Sequence, residues 1–293
     1  MRPTIYIATL TAAAALGACS KEAPKTDSTA VTQASTPAAP AAAYDPTSRV
    51  ATVVAKDFAF EAPDSIPAGW TTFRLLNQGA NLHHVALFRM DAGKTIADVQ
   101  AAMAKPGPLP AWLVEVGGPN APNPKAESNA TVELKPGNHV MLCFVDIPEK
   151  TPHFMKGMVR PLLVTAATSA SSAPVADVVL SLADYSFTVK SGTLSTGKHV
   201  VQVVNDGPQG HEIELVKLAP GKTMKDLGAW MAKPEGPPPA DAIGGIVGVA
   251  KGSTGYFNVE LSSGSYAMIC FVPDAKDGKP HLEHGMIKEF TVQ

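Results

Sequence analysis

The sequence predicts an all-β protein built as two tandem Greek-key β-sandwich domains, each with one short inserted helix. Three observations carry this expectation. Residues 51–164 and 178–292 repeat one another almost without gaps: Asn77-Gln78-Gly79 answers Asn205-Asp206-Gly207, and Cys143-Phe144-Val145 answers Cys270-Phe271-Val272. The 24 glycines and 26 prolines among 293 residues cut the chain into runs too short for long helices. Within many of those runs apolar and polar residues alternate, the two-residue period of a half-buried strand.

In the first repeat the expected strands are 53–60, 71–76, 83–88, 130–134, 139–145 and 159–164. The alternation in the third puts His83, Val85 and Leu87 on one face and His84 on the other. Thr95-Ile96-Ala97-Asp98 has the form of a capping box, so a short helix starts there; Thr223-Met224-Lys225-Asp226 opens its counterpart. Gly/Pro-rich loops follow each helix. The second repeat supplies strands at 178–186, 198–204, 211–217, 255–261, 266–272 and 287–292.

The organisation read from composition is a lipoprotein-type signal peptide over 1–19, a disordered Ala/Pro/Ser/Thr tether over 20–49, domains at 50–165 and 176–293, and a linker at 166–175. Arg2, the apolar run to Leu16 and the sequence Leu16-Gly17-Ala18-Cys19 resemble a bacterial lipobox, which implies lipidation of Cys19. That resemblance places the folded part on the periplasmic side, lipid-anchored to the outer membrane, with membrane contact through the anchor. The formal net charge of −2 and the scattered basic residues exclude nucleic acid as an expected partner.

Chemistry enters through four residues that recur in one order: His83, Cys143, His153 and Met158, then His211, Cys270, His281 and Met286. Their partners are offset by 128 residues, or 127 at the cysteines. An exported protein favours disulfides, but joining Cys143 to Cys270 would require two domain cores to meet edge on. Two free thiols in such a protein point instead to a metal. Two imidazoles and a thiolate with a weak thioether suit copper, because this mixed soft set accepts both of its oxidation states. His84 is set aside, since His83 and His211 both lie six residues after the turn asparagine and His84 aligns with Glu212. The remaining histidines carry lesser expectations: His139 in the core or at the rim, His199 on the surface, His284 at the rim.

The segment Tyr266-Ala267-Met268-Ile269-Cys270-Phe271-Val272-Pro273, followed by His281-Leu282-Glu283-His284-Gly285-Met286, resembles the ligand loop of the cupredoxins, the plastocyanin and azurin family. Asn205-Asp206-Gly207 leading to His211 is similar to that family's upstream segment, and the first repeat matches through Asn77 to His83 and Cys143 to Met158. The resemblance implies type 1 copper, up to two ions. His83, Cys143 and His153 would be strong ligands with Met158 axial, and His211, Cys270, His281 and Met286 likewise. Nine and ten residues separate cysteine from histidine, more than in familiar members. The implied function is one-electron transfer between redox partner proteins, with a rim histidine as the electron's exit. The alternatives are copper storage without redox turnover and a metal-free envelope scaffold. No catalytic residue is expected: Leu142 and Phe144 flank Cys143, and Ile269 and Phe271 flank Cys270, where copper enzymes commonly carry a histidine. The expectation is therefore that the chain is not an enzyme.

Overall fold

The computed structural model describes residues 41–104, 107, 109–147, 149–167 and 169–293. The signal peptide, Cys19 and most of the tether lie outside the described residues. Among the described residues no helix is long and apolar enough to cross a membrane.

The first half contains β1 (Ala43–Asp45), β2 (Val50–Lys56), β3 (Ala59–Glu61), β4 (Ser65–Pro67), β5 (Gly69–Asn77), β6 (Ala86–Met90), α1 (Ile96–Met103), β7 (Leu113–Gly117), β8 (Glu127–Leu134), β9 (Gly137–Leu142) and β10 (Val159–Thr165). The second contains β11 (Val178–Ala183), β12 (Ser186–Ser191), β13 (Gly197–Asn205), β14 (His211–Leu218), α2 (Met224–Ala232), β15 (Ala240–Val249), β16 (Thr254–Leu261), β17 (Gly264–Ile269) and β18 (Ile287–Val292). Both helices open on the expected capping box, in which Thr95 and Asp98, or Thr223 and Asp226, exchange side-chain and backbone hydrogen bonds.

Two smaller sheets, β4-β10-β9-β6-β7 and β15-β14-β17-β18, each face part of one large sheet ordered β1-β2-β5-β8-β16-β13-β11-β12, with β3 paired to β2. Each half is thus a β-sandwich with one short helix, the fold class expected. Inward-facing apolar side chains fill both sandwiches: Phe73, Leu75 and Met141 on one side, Leu180, Val203 and Met268 on the other, all essentially inaccessible to water.

Several local expectations change. The strand expected over 53–60 is a hairpin, because the chain turns at Asp57-Phe58 and Phe58 takes a positive φ of 63°. A turn falls at the equivalent place in the second half, Asp184-Tyr185, between β11 and β12. Residues assigned to the tether supply β1, whose Ala43 and Tyr44 pair with Thr52 and Ala51. Asp45 accepts hydrogen bonds from Thr47 and Ser48 at the following turn, which brings those few residues back along β2. The Gly-rich loops after the helices contain β7 and β15. Their register shifts at the glycines hid the strand period.

Those two strands matter because they join the halves. Pro119 bridges Ile246, Pro122 bridges Ile243, and Val247 N–H donates to Gly118 O at 2.9 Å. The large sheet crosses the junction at the Thr131–Tyr256 pair. Beside it the amide of Asn129 donates to Asn258 O at 2.9 Å and accepts from Asn258 N–H at 2.8 Å. Ser171, in the linker, accepts from Trp70 N–H at 2.8 Å. Ile246 is fully buried in a core cluster that draws side chains from both halves. Ile246→Ala is expected to cost about 2–5 kcal/mol. Because the core is shared, urea should still unfold both halves in one transition; separate transitions would show that they are energetically independent.

Candidate metal centres

Each centre is assembled from two loops at one end of a sandwich. The upstream loop begins at the asparagine that ends β5 or β13. Asn77 Oδ1 accepts from Gly79 N–H at 3.1 Å while its Nδ2 donates to Asn81 O at 2.8 Å and Pro122 O at 3.1 Å. Asn205 repeats this with Gly207, Gln209 and Val249. The glycine is required by close approach: a Cβ on Gly79 would lie 2.5 Å from His83 Nε2, and one on Gly207 2.7 Å from His211 Nε2. The Asn-x-Gly turn therefore forms a floor for the histidine ring.

The downstream loop leaves β9 or β17 at the cysteine. In the first half it folds outward and closes at its neck, where Asp146 bridges Pro152, His153 N–H donates to Val145 O, and Phe154 N–H donates to Cys143 O, both at 2.9 Å. In the second half Pro273 bridges Pro280, and His281 and Leu282 bond to Val272 and Cys270 in the same way. The extra loop length thus lies outside the centre and does not displace the histidine. One turn of 3-10 helix follows, His153–Lys156 or His281–His284, ended by Gly157 or Gly285 at φ 101° and 91°. Met158 and Met286 come next, each donating its N–H to the histidine's carbonyl. Both methionines are fully buried, in the same core cluster as the two cysteines.

The loops bring together His83, Cys143 and His153, and His211, Cys270 and His281, all six with no exposed surface. His83 Nδ1 and His153 Nδ1 are 3.1 Å apart, and Cys143 Sγ is 3.5 Å from His153 Nδ1. In the second half the same separations are 3.1 and 3.4 Å, with Cys270 Sγ 4.0 Å from His211 Nδ1. Two nitrogens bound to one ion at about 2.0 Å each, in a tetrahedral or trigonal arrangement, stand roughly 3.3–3.5 Å apart. Both sets of donor atoms are therefore spaced to share an ion. Both cysteines are free, so they do not form a disulfide.

The surroundings prepare the donors. His83 Nε2–H donates to Asp57 Oδ1 and His211 Nε2–H to Asp184 Oδ1, each at 2.8 Å, which leaves Nδ1 of each ring unprotonated and aimed inward. Burial holds both of these histidines below the usual imidazole range, against the pull of the aspartates. Burial brings His153 down to about 4, with the charge on His83 adding to it. Burial also pushes the Cys143 thiol up to about 12. It raises Cys270 well above the ordinary thiol range, helped by the negative charge of Glu212. A metal ion entering either centre must displace a thiol proton and meets imidazoles that are already neutral.

Sequence reading missed Asp57 and Asp184, the carboxylates that hold the first histidine of each set. A signal was present: Asp57-Phe58-Ala59-Phe60 is answered by Asp184-Tyr185-Ser186-Phe187. His153 and His281 are buried beneath Phe58 and Tyr185, whose rings lie edge-on at centroid distances of 5.0 and 5.4 Å. His199, expected on the surface, is 7% exposed and bonded to Asp177 and Ser195. His139 is buried and donates to Gly137 O from Nδ1, while the side chain of His284 is 28% exposed and stacks on Tyr185. His84 stays out of the donor set, as expected.

Two β-sandwiches, each carrying a His–Cys–His set between its upstream loop and the loop after its cysteine, define a cupredoxin-like fold. No protein-family model and no curated protein matches the sequence. Among solved structures the chain is similar to reduced auracyanin from Roseiflexus castenholzii, at 20% identity and a TM-score of 0.28, covering 40% of this chain and 97% of that one. It is also similar to a blue copper oxidase from Nitrosomonas europaea at 14% identity, covering 83% and 84% of the two chains with a TM-score of 0.25. A copper nitrite reductase from the same organism, at 15% identity, covers 83% and 93% with a TM-score of 0.23. The expectation that the chain is not an enzyme is corrected by these neighbours, because an oxidase and a reductase are among them.

Asp57→Ala frees the His83 ring and its tautomer. It is expected to weaken metal binding at the first centre about 10–100-fold while leaving the second unchanged, as read by competition with a chelator. Equal loss at both centres, or none, would show that the aspartate does not set the ligand.

Proposed function

We propose that this chain is an exported copper-binding protein that carries single electrons through type 1 copper sites, one in each half. The observation that supports this reading most is the twofold recurrence of the donor geometry. An isolated buried histidine or cysteine is most often packing. Here three donors meet in each half, with Nδ1–Nδ1 separations of 3.1 Å in both. Two imidazole nitrogens and one sulfur, with Met158 or Met286 as a weak fourth donor, are a ligand set suited to both Cu(I) and Cu(II). Copper held there would supply a one-electron couple.

The chain's own residues do the rest. Asp57 and Asp184 orient the first histidine, and the necked loop holds the second against the cysteine. Phe58 and Tyr185 keep water from the second histidine. Rigid placement of the donors limits the rearrangement that accompanies a change of oxidation state. The proposal extends to the N-terminus: Cys19 is lipidated, the anchor holds the folded part at the periplasmic face of the outer membrane, and redox proteins there exchange electrons with it.

Reconstitution of the purified protein with Cu(II) tests the central claim. An intense thiolate-to-copper absorption towards the red end of the visible range is expected, halved by Cys143→Ser and halved by Cys270→Ser. No such band in the unmodified protein would end the type 1 assignment, and a stable colourless Cu(I) form without reversible oxidation would favour storage.

Loading should also depend on pH. With the Cys143 thiol pushed up to about 12, and His83 and His153 held below the usual imidazole range, binding at the first centre releases one thiol proton. Apparent affinity there is then expected to fall about tenfold for each unit that pH drops between roughly 8 and 6.5, by competitive titration. A flat profile would mean that the sulfur does not bind as thiolate.

A further inference from the structure

His84 and Glu212 follow the first histidine of their respective centres, and neither points into one. Each accepts the backbone N–H of the residue after the cysteine. Phe144 N–H donates to His84 Nε2 at 2.8 Å, and Phe271 N–H donates to Glu212 Oε1 at 2.9 Å. Both acceptors lie buried near the junction of the two halves, and between them stands Asn120, 3% exposed, from the segment after β7. Its Oδ1 is 3.3 Å from His84 Nδ1, and its Nδ2 donates to Glu212 Oε2 at 3.4 Å and to Ile213 O at 3.2 Å.

The direction of every bond in this chain is determined. Asn120 Oδ1 also accepts from Ala121 N–H at 2.9 Å, which sets the orientation of the amide. His84 Nε2 must be bare to accept from Phe144, so its proton sits on Nδ1 and is donated to Asn120. The result is an unbroken hydrogen-bonded path from the amide beside Cys143 to the amide beside Cys270. Oriented dipoles in a buried chain polarise one another, so a change at one end is felt at the other. The path crosses between the halves at one residue: the counterpart of Asn120 is Val247, since Asn120 N–H donates to Gly245 O as Val247 N–H donates to Gly118 O, and a valine side chain can neither donate nor accept.

We propose that His84, Asn120 and Glu212 are positioning residues that couple the two centres, so that filling one changes the affinity of the other. This rests on both cysteine loops being metal centres, as proposed above. The polarity also predicts what Glu212→Gln does. One of its two oxygens becomes a donor, so either Asn120 Nδ2 or Phe271 N–H loses its acceptor.

The test compares the copper affinity of the first centre with the second intact and with Cys270→Ser, first in the otherwise unchanged chain and then in Asn120→Leu. A difference of about fivefold or more is expected in the former and none in the latter. Because Asn120→Leu is a buried substitution, a second variant reads the path from its far end. In a Cys143→Ser background, His84→Phe should shift the thiolate-to-copper band of the second centre, and in the metal-free chain it should shift the Phe271 amide nitrogen resonance. Equal affinities in the unchanged chain, or an unmoved band and resonance in the His84 variant, overturn the coupling while leaving the copper centres standing. If the unmodified protein shows no thiolate-to-copper band, the copper reading fails and the coupling with it.

Discussion

Two imidazoles and a thiol buried side by side lose their hydration and have few ways to recover it. In each half of this chain the three donors have no exposed surface and face one another at 3.1–4.0 Å. An arrangement of this kind persists only if the backbone around it leaves no lower-energy alternative. Most local features of the two loops serve that end. The asparagine turn ties the upstream loop to itself and to a strand or loop beside it, the glycine clears space for the ring, and the aspartate takes the outer ring proton. The closed neck of the downstream loop returns the second histidine to the sulfur.

The same constraint accounts for how the halves are joined. A sandwich with a polar centre at one end needs a firm base, and here the base is partly supplied by the other half. β8 and β16 continue one sheet, while β7 and β15 bring both loop systems towards a common junction. Buried carboxyls gather at that junction. Burial raises Glu212 to about 7 and Glu214 well above the usual range, with the charge of Glu212 adding to the latter. Such groups are costly unless they hold something in place. Glu212 holds the amide after Cys270, and Glu214 Oε2 accepts the Ala121 N–H beside Asn120.

The halves are alike in their donors and different in their cover. Phe58 lies over His153 as a purely apolar lid, whereas Tyr185 over His281 donates its hydroxyl to Asp274 at 2.6 Å and stacks on His284. The hydrogen bond to Asp274 pushes the Tyr185 hydroxyl up to about 12, so it remains a donor. The centres therefore sit in different electrostatic surroundings, as the contribution of Glu212 to Cys270 also shows.

The sequence by itself determined the fold class, the helices with their capping boxes, and the histidines and cysteine that each half brings together. These are local or periodic properties, and the repeat allowed each half to vouch for the other: His83 was separable from His84 only because His211 and Glu212 stood at the same places. Asp57 and Asp184 were missed because an aspartate inside an alternating run reads as a strand's outward residue until the chain is known to turn there. β7 and β15 were missed because a glycine-interrupted strand is recognisable mainly by its partner. Tertiary structure alone decided that the two sandwiches share a sheet and a core, that the second histidines are covered, and that Asn120 links the two cysteine loops. Each depends on contacts between residues far apart in the chain, and no local period or spacing encodes which distant side chain will lie within hydrogen-bonding reach.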